Sequence, residues 1–250
     1  MQKKLLECCV DSVESAVIAA ENGADRLELC ANLVIGGTSP GPDLFALVRE
    51  RVRLPVRVLL RPRFGDFLYT GEEFELLRRE VRRFRELRAD GLVFGCLTAE
   101  GMLDRERMAV LMEEAGPLPV TLHRAFDLCA DPFAALETAR ELGVGTILTS
   151  GQAASCLEGR ELLAALCGAA GEMTILAGAG VNAAAIAELA KDTPLRAFHL
   201  SGKEVLDSGM RFRRDGVPMG LPGMSEYSLW RTSPAAVRAA RRALDEAAGM

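Results

Sequence analysis

Histidine is nearly absent from this chain, and lysine and the large aromatics are scarce: two histidines, two tyrosines and one tryptophan in 250 residues. There is no His-x-His motif, and so little histidine argues against a binuclear hydrolase site. The lysines are Lys3, Lys4, Lys191 and Lys203. None falls in a strand expected at an active-site mouth, so a Schiff-base mechanism has no evident nucleophile and Lys203 is a poor candidate. An excess of positive charge is missing too. A formal charge of -5 argues against a general polyanion-binding surface, and nucleic acid is not the leading partner. Long apolar runs are also lacking. Met1-Gln2-Lys3-Lys4 leads into a short apolar stretch interrupted by Glu7, which suits neither a signal peptide nor a membrane span. We expect a cytoplasmic protein without membrane contact. Cysteine is not scarce, but its seven copies form no compact framework of spacings and read as thiols.

What the chain does have is alternation. Short apolar runs give way to longer amphipathic ones, and the pairs repeat through the sequence. Lys4 to Val10 reads as a strand, followed by a helix from Ser12 to Asn22 capped by Asp11 or Ser12. Further strands are expected at 26–30, 56–61, 91–97, about 120–123, 146–150, 174–177 and 196–200. Helices follow each, Pro42 and Asp131-Pro132 marking two starts. The basic run Arg78 to Arg88 is interleaved with glutamate and reads as a solvated outer helix. Eight strands each followed by a helix match the (β/α)8 TIM barrel better than an open doubly wound sheet. One domain covering 1–250 is expected. Its segment 203–232, rich in glycine and methionine, shows no clear period, and a last helix runs from Ser233-Pro234 to Ala248.

Period two sorts the strand residues. On strand one Leu5, Glu7 and Cys9 share a face, opposite Leu6, Cys8 and Val10. On strand two Arg26, Glu28 and Cys30 oppose Leu27 and Leu29. On strand three Arg57, Leu59 and Arg61 oppose Val58 and Leu60, and on strand five Thr121 and His123 oppose Val120 and Leu122. The all-apolar face is the one helices cover, so Glu7, Glu28, Arg61, Thr121, His123 and, on strand eight, His199 should point inward. An internal salt-bridge layer, with Glu7 and Glu28 neutralising Arg26 and Arg61, is one explanation. Function is the other, and we favour it because these groups lie toward the strand C-termini, where barrel enzymes hold their chemistry.

The stretch Thr121-Leu122-His123-Arg124-Ala125-Phe126-Asp127 is central to that reading. His123 is expected to act in proton transfer with Glu7, Glu28 and His199, while Arg124 and Asp127 orient a ligand or close a loop. The strand ends Thr149-Ser150-Gly151, Gly178-Ala179-Gly180 and Ser201-Gly202 resemble in spacing an anion site built from backbone N–H groups. Tight βα turns would use the same glycines. With Arg61, Arg63 and Arg124 at loop ends and Arg26 among the ligand-binding candidates, the expected ligand is a small anion, phosphorylated ones included.

Several motifs are longer than such patterns require. Glu7-Cys8-Cys9-Val10-Asp11-Ser12, Gly23-Ala24-Asp25-Arg26-Leu27-Glu28-Leu29-Cys30, Arg61-Pro62-Arg63 with Gly65-Asp66-Phe67-Leu68-Tyr69, and Leu122-His123-Arg124-Ala125-Phe126-Asp127 resemble the CutC family, named for copper homeostasis. So do Leu148-Thr149-Ser150-Gly151-Gln152, Ala177-Gly178-Ala179-Gly180-Val181-Asn182, Phe198-His199-Leu200-Ser201-Gly202 and Ser208-Gly209-Met210-Arg211-Phe212-Arg213. The order is right and nearly the whole chain is covered. The resemblance implies a cytoplasmic barrel that forms homo-oligomers and handles copper, with Cys9 and Cys30 matching the proposed ligands. These two share the inward face of neighbouring strands, about 5 Å apart, a separation that suits Cu(I); core filler is the plainer use of such thiols. Phe64 departs from the family's usual glycine, and Cys8 replaces an apolar residue. Met210, Met219 and Met224 fit a flap or an oligomer contact better than thioether ligation.

Overall fold

The computed structural model describes residues 4–214, 216–220 and 223–247; Lys3 and the Ala248 end expected for the last helix lie outside them. Eight parallel strands close into a barrel in chain order. They are β1 (Leu5–Val10), β2 (Arg26–Leu29), β3 (Val56–Leu59), β4 (Gly91–Phe94), β5 (Val120–Leu122), β6 (Thr146–Thr149), β7 (Thr174–Ala177) and β8 (Ala197–Leu200). The helices are α1 (Val13–Glu21), α2 (Pro42–Arg51), α3 (Gly71–Glu86), α4 (Arg105–Ala115), α5 (Pro132–Glu141), α6 (Arg160–Ala169), α7 (Ala183–Asp192) and α8 (Pro234–Glu246). This is the TIM-barrel architecture the alternation predicts.

Local chemistry sets the helix starts. Ser12 accepts the N–H of Ser15 to begin α1, and Asp131 accepts those of Phe133 and Ala134 ahead of Pro132. Thr70 and Glu73 form a reciprocal capping box on α3. On that basic helix Leu77, Val81 and Phe84 are buried, while Arg78 and Arg82 pair with Glu114 of α4 at 2.6 and 3.0 Å. Its positive charge is thus largely answered within the fold.

The strand faces divide as period two requires. Leu6, Cys8, Val10, Leu27, Leu29 and Val58 are fully buried in the layer between barrel and helices. Inside the barrel lie two smaller apolar clusters, Cys9, Cys30, Leu59 and Val93 in one, Leu148, Leu176 and Ala197 in the other. A polar row runs between them. Two glycines on β4 and just beyond it make room for long neighbours. A Cβ at Gly91 would stand 3.1 Å from Arg57 Cγ, and one at Gly95 would stand 3.0 Å from His123 Nδ1.

Two expectations fail in detail. Strands two, three, four and six end before Cys30, Arg61, Leu97 and Ser150; at the last three the N–H turns to a loop partner, that of Arg61 to Ser39 Oγ at 2.9 Å and that of Leu97 to the Phe67 carbonyl at 2.9 Å. The segment 203–232 is also not irregular throughout. Its ends pair as antiparallel strands β9 (Lys203–Asp207) and β10 (Ser228–Thr232), with Val205 opposite Trp230. Both strands are short, β9 largely exposed and β10 mostly half-buried, and neither carries an apolar period. No helix among the described residues is long and apolar enough to cross a membrane.

Candidate functional site

Strand register assembles the site. Glu7 lies beside Arg26 on β2 and beside His199 on β8, while Cys9 lies beside Glu28, and Glu28 in turn beside Arg57 on β3. Inward-pointing neighbours in register must touch. Arg26 Nε donates to Glu7 Oε2 at 2.5 Å, and His199 Nδ1 lies 2.8 Å from Glu7 Oε1. Below this row Arg57 donates to Thr121 Oγ1, and to Thr146 Oγ1 at 3.2 Å. Arg57 is a polar interior residue that the sequence reading left without a role.

Burial and charge decide the protonation states. Burial alone would raise the Glu7 pKa, but the Arg26 guanidinium and His199 outweigh it and hold the carboxyl at about 2. Burial works against a charge on His199, yet Cys9, Glu28 and the Glu7 hydrogen bond push its pKa well above the ordinary imidazole value. Glu28 is shifted upward, by burial first and then by the charge of Glu7. It accepts the Cys30 thiol at 3.3 Å, and His199 Nε2 stands 3.8 Å away. Burial and then the neighbouring Glu28 hold the Cys30 thiol well above its usual range.

His123 has its tautomer set by the backbone. Its Nδ1 accepts the Ala125 N–H at 3.3 Å, which leaves the ring proton on Nε2. Burial, then the nearby Arg61 charge, lowers its pKa to about 3. The ring is therefore neutral at physiological pH and presents a donor, because the desolvated site disfavours a second positive charge.

Above the row opens a cavity of about 210 Å³. Of the residues expected from sequence, its wall takes Cys9, Glu28, Arg61, His123, Arg124, Gly180, His199 and Ser201. Glu7 and Arg26 sit beneath it and reach it only through His199 and Glu28. Cys30 is fully buried beside Cys9 rather than on the wall. Three wall residues carry buried polar atoms without a partner among the described residues: Glu28 Oε1, His123 Nε2 and Arg61 Nε.

The remaining candidates serve other purposes in this fold. Asp127 accepts from Arg124 Nε at 2.6 Å, from Thr149 Oγ1 at 2.5 Å and from the Ser150 N–H at 3.0 Å. Thr149, Ser150 and Gly151 are thereby held away from the cavity wall. Gly151 has φ +74° and its Cβ position lies 2.3 Å from the Gly159 carbonyl, so close backbone packing requires glycine there. Gly178 similarly leaves room for Leu148, at 2.7 Å. Gly202 lines a separate hollow with Asn182 at the start of α7. Arg61 pairs with neither glutamate, its terminal nitrogens going instead to the carbonyls of Gly37 and Gly65 at 3.2 and 2.6 Å.

Sequence reasoning missed Phe67 and Lys203 on the wall. Lys203 opens β9 at the mouth and stacks its ammonium 3.9 Å from the Trp230 ring centre. The hairpin that carries it has no sequence period, which is why the position reads as a loop. Phe67 lies in loop three and stacks on His123 with ring centres 4.6 Å apart. Its place in the Gly65-Asp66-Phe67-Leu68-Tyr69 stretch that resembles the CutC family was the available signal.

Comparison with known proteins gives a consistent answer. Residues 4–204 match the CutC family. The chain is 46% identical over 245 residues to a CutC family protein of Chromobacterium violaceum, covering 98% of this chain and 99% of that protein. It is 45% identical over 236 residues to the copper homeostasis protein cutC homolog of Homo sapiens, covering 94% of this chain and 86% of the other. The crystal structure of CutC from Streptococcus agalactiae has a TM-score of 0.74 and 28% identity, over 79% of this chain and 98% of that one.

Proposed function

Because the chain belongs to the CutC family, we propose that it serves copper homeostasis by taking Cu(I) as cargo on Cys9 and Cys30. One observation carries this reading: the two thiols pack in a single buried cluster with Leu59 and Val93, and Cys9 also lines the cavity. Sulfur donors in apolar surroundings suit a soft monovalent ion and disfavour hydrated hard cations. Both sulfurs act as donors in this state, Cys9 toward the Leu200 carbonyl at 3.7 Å and Cys30 toward Glu28 at 3.3 Å. Loading therefore displaces thiol protons, and Glu28 is positioned to take the one from Cys30. Titration with Cu(I) under reducing conditions against a competing chelator is the test. Tight binding by the wild type should fall sharply in Cys9→Ser and in Cys30→Ser; unchanged stoichiometry and affinity would sink the assignment.

We place this activity in the cytoplasm and in a homo-oligomer. The seven free thiols support a reducing compartment. Exposed Val205, Leu206, Met210, Phe212 and Met219 on the 203–232 segment support self-association.

A second reading uses the same mouth as an enzyme site for acid/base chemistry on a small anion. It is supported by the unpartnered atoms of Glu28, His123 and Arg61 around one cavity, joined there by Arg124 and Lys203. Glu28 and His199 are its proton-transfer groups. Thermal-shift screening of carboxylates and phosphate esters tests it, and stabilisation should depend on Arg61, so a response unaltered in Arg61→Ala counts against it.

A further inference from the structure

His123 and Arg61 flank the same aromatic ring. Phe67 stacks on His123 at 4.6 Å between ring centres, and the Arg61 guanidinium carbon stands 4.9 Å from the Phe67 centroid on the cavity wall. Each neighbour has its orientation fixed by the fold. The Ala125 N–H occupies His123 Nδ1, and Gly95 supplies the space in which the ring lies. Carbonyls of Gly36, Gly37 and Gly65 hold the terminal nitrogens of Arg61. What is left over on each side is a buried nitrogen, His123 Nε2–H and Arg61 Nε–H, without an acceptor among the described residues. His123 is only 4% exposed. A donor at that depth costs free energy unless something accepts from it.

We propose that His123 Nε2–H and Arg61 Nε–H form an oxygen-reading pair that takes the oxygens of a small organic oxyanion, a carboxylate or phosphate ester of a few carbons, with Phe67 packed on its carbon skeleton. This rests on the second reading above and assigns its ligand chemistry. His123 is then a recognition residue that polarises a ligand oxygen, and proton transfer is left to other groups. Arg124 and Lys203 on the same wall supply the compensating charge. The cavity, about 210 Å³, has room for a ligand of a few carbons.

Nitrogen-15 NMR of the histidine rings in the full chain tests the pair directly. Inorganic phosphate, glycerol 3-phosphate and pyruvate are titrated separately, which also separates phosphate from carboxylate ligands. The expected result is a saturable shift of the His123 Nε2 and its proton with at least one probe, while Nδ1 stays in place. Calorimetry of that probe should show His123→Phe binding about 10- to 100-fold more weakly, with His123→Gln, whose amide restores an N–H near the Nε2 position, recovering most of the loss. Saturable binding that leaves the Nε2 signal unmoved would overturn this proposal alone. No binding of any probe would overturn it together with the anion reading. The wild-type measurement stands even where a variant fails to fold.

Discussion

Two buried carboxylates at the same end of the barrel are treated in opposite ways. The side chains of Asp127 and Glu28 are 7% and 5% exposed. Asp127 is saturated: Arg124, Thr149, the Ser150 N–H and hydroxyl, and the Gln152 N–H all donate to it. Glu28 has a thiol at 3.3 Å, an imidazole at 3.8 Å and an oxygen with no partner among the described residues. The fold uses the first to tie the end of β5 to the loop after β6. It leaves the second underserved at the wall of a cavity, which is how stability is given up where ligands or protons are handled.

Removing each carboxylate should expose that contrast. Asp127→Ala is expected to have the largest effect, about 3 kcal/mol of lost stability in chemical denaturation, because it leaves the Thr149 hydroxyl and the Ser150 and Gln152 N–H groups without their shared acceptor. A loss below 1 kcal/mol would show that the clamp is not structural. Glu7 comes next. Its folded pKa, about 2, lies below the unfolded carboxylate value, so its contribution is present above that unfolded value and is lost as pH falls toward 2. Glu7→Gln should cost on the order of 2–3 kcal/mol near neutral pH and flatten the acid limb of the stability curve. An acid limb as steep as wild type would break the assignment of the Arg26–Glu7–His199 row.

Glu28 should show the smallest effect, and the opposite sign. A carboxyl raised in the folded state contributes most below its unfolded pKa, and that contribution is lost as pH rises through the folded value. Glu28→Gln should therefore be neutral at pH near 4 and stabilising by about 1 kcal/mol at pH near 7. Thermal melts at the two pH values check it. Destabilisation at the higher pH would place Glu28 with Asp127 as a structural carboxylate.

Much of the fold is legible in the sequence because strand periodicity and helix capping are local. Leu6, Cys8 and Val10 can be assigned to the helix layer from alternation alone, and Ser12, Thr70 and Asp131 mark helix starts by chemistry that spans three or four residues. The meeting of Glu7 with His199 is different. It depends on the register between the first and last strands, which only barrel closure sets. The state of His123 is hidden for a similar reason: an Ala125 N–H takes one ring nitrogen, and nothing in the residue types announces that. Gly151 and Gly178 show the reverse limit, since a glycine needed for packing and one needed to bind an anion look alike in a sequence.

The pairing of β1 with β8 has a consequence in time. Glu7 and His199 are separated by 192 residues, so at ordinary elongation rates roughly 10–40 s pass between their synthesis. During that interval the emerging chain holds Glu7 and Arg26 without their third member, and Cys9 without the Leu200 carbonyl. Any chain cut short before β8 carries the Cys9 and Cys30 thiols but neither His199 nor the Leu200 carbonyl that Cys9 meets. Closing the barrel and completing its mouth are a single late event in the life of each molecule.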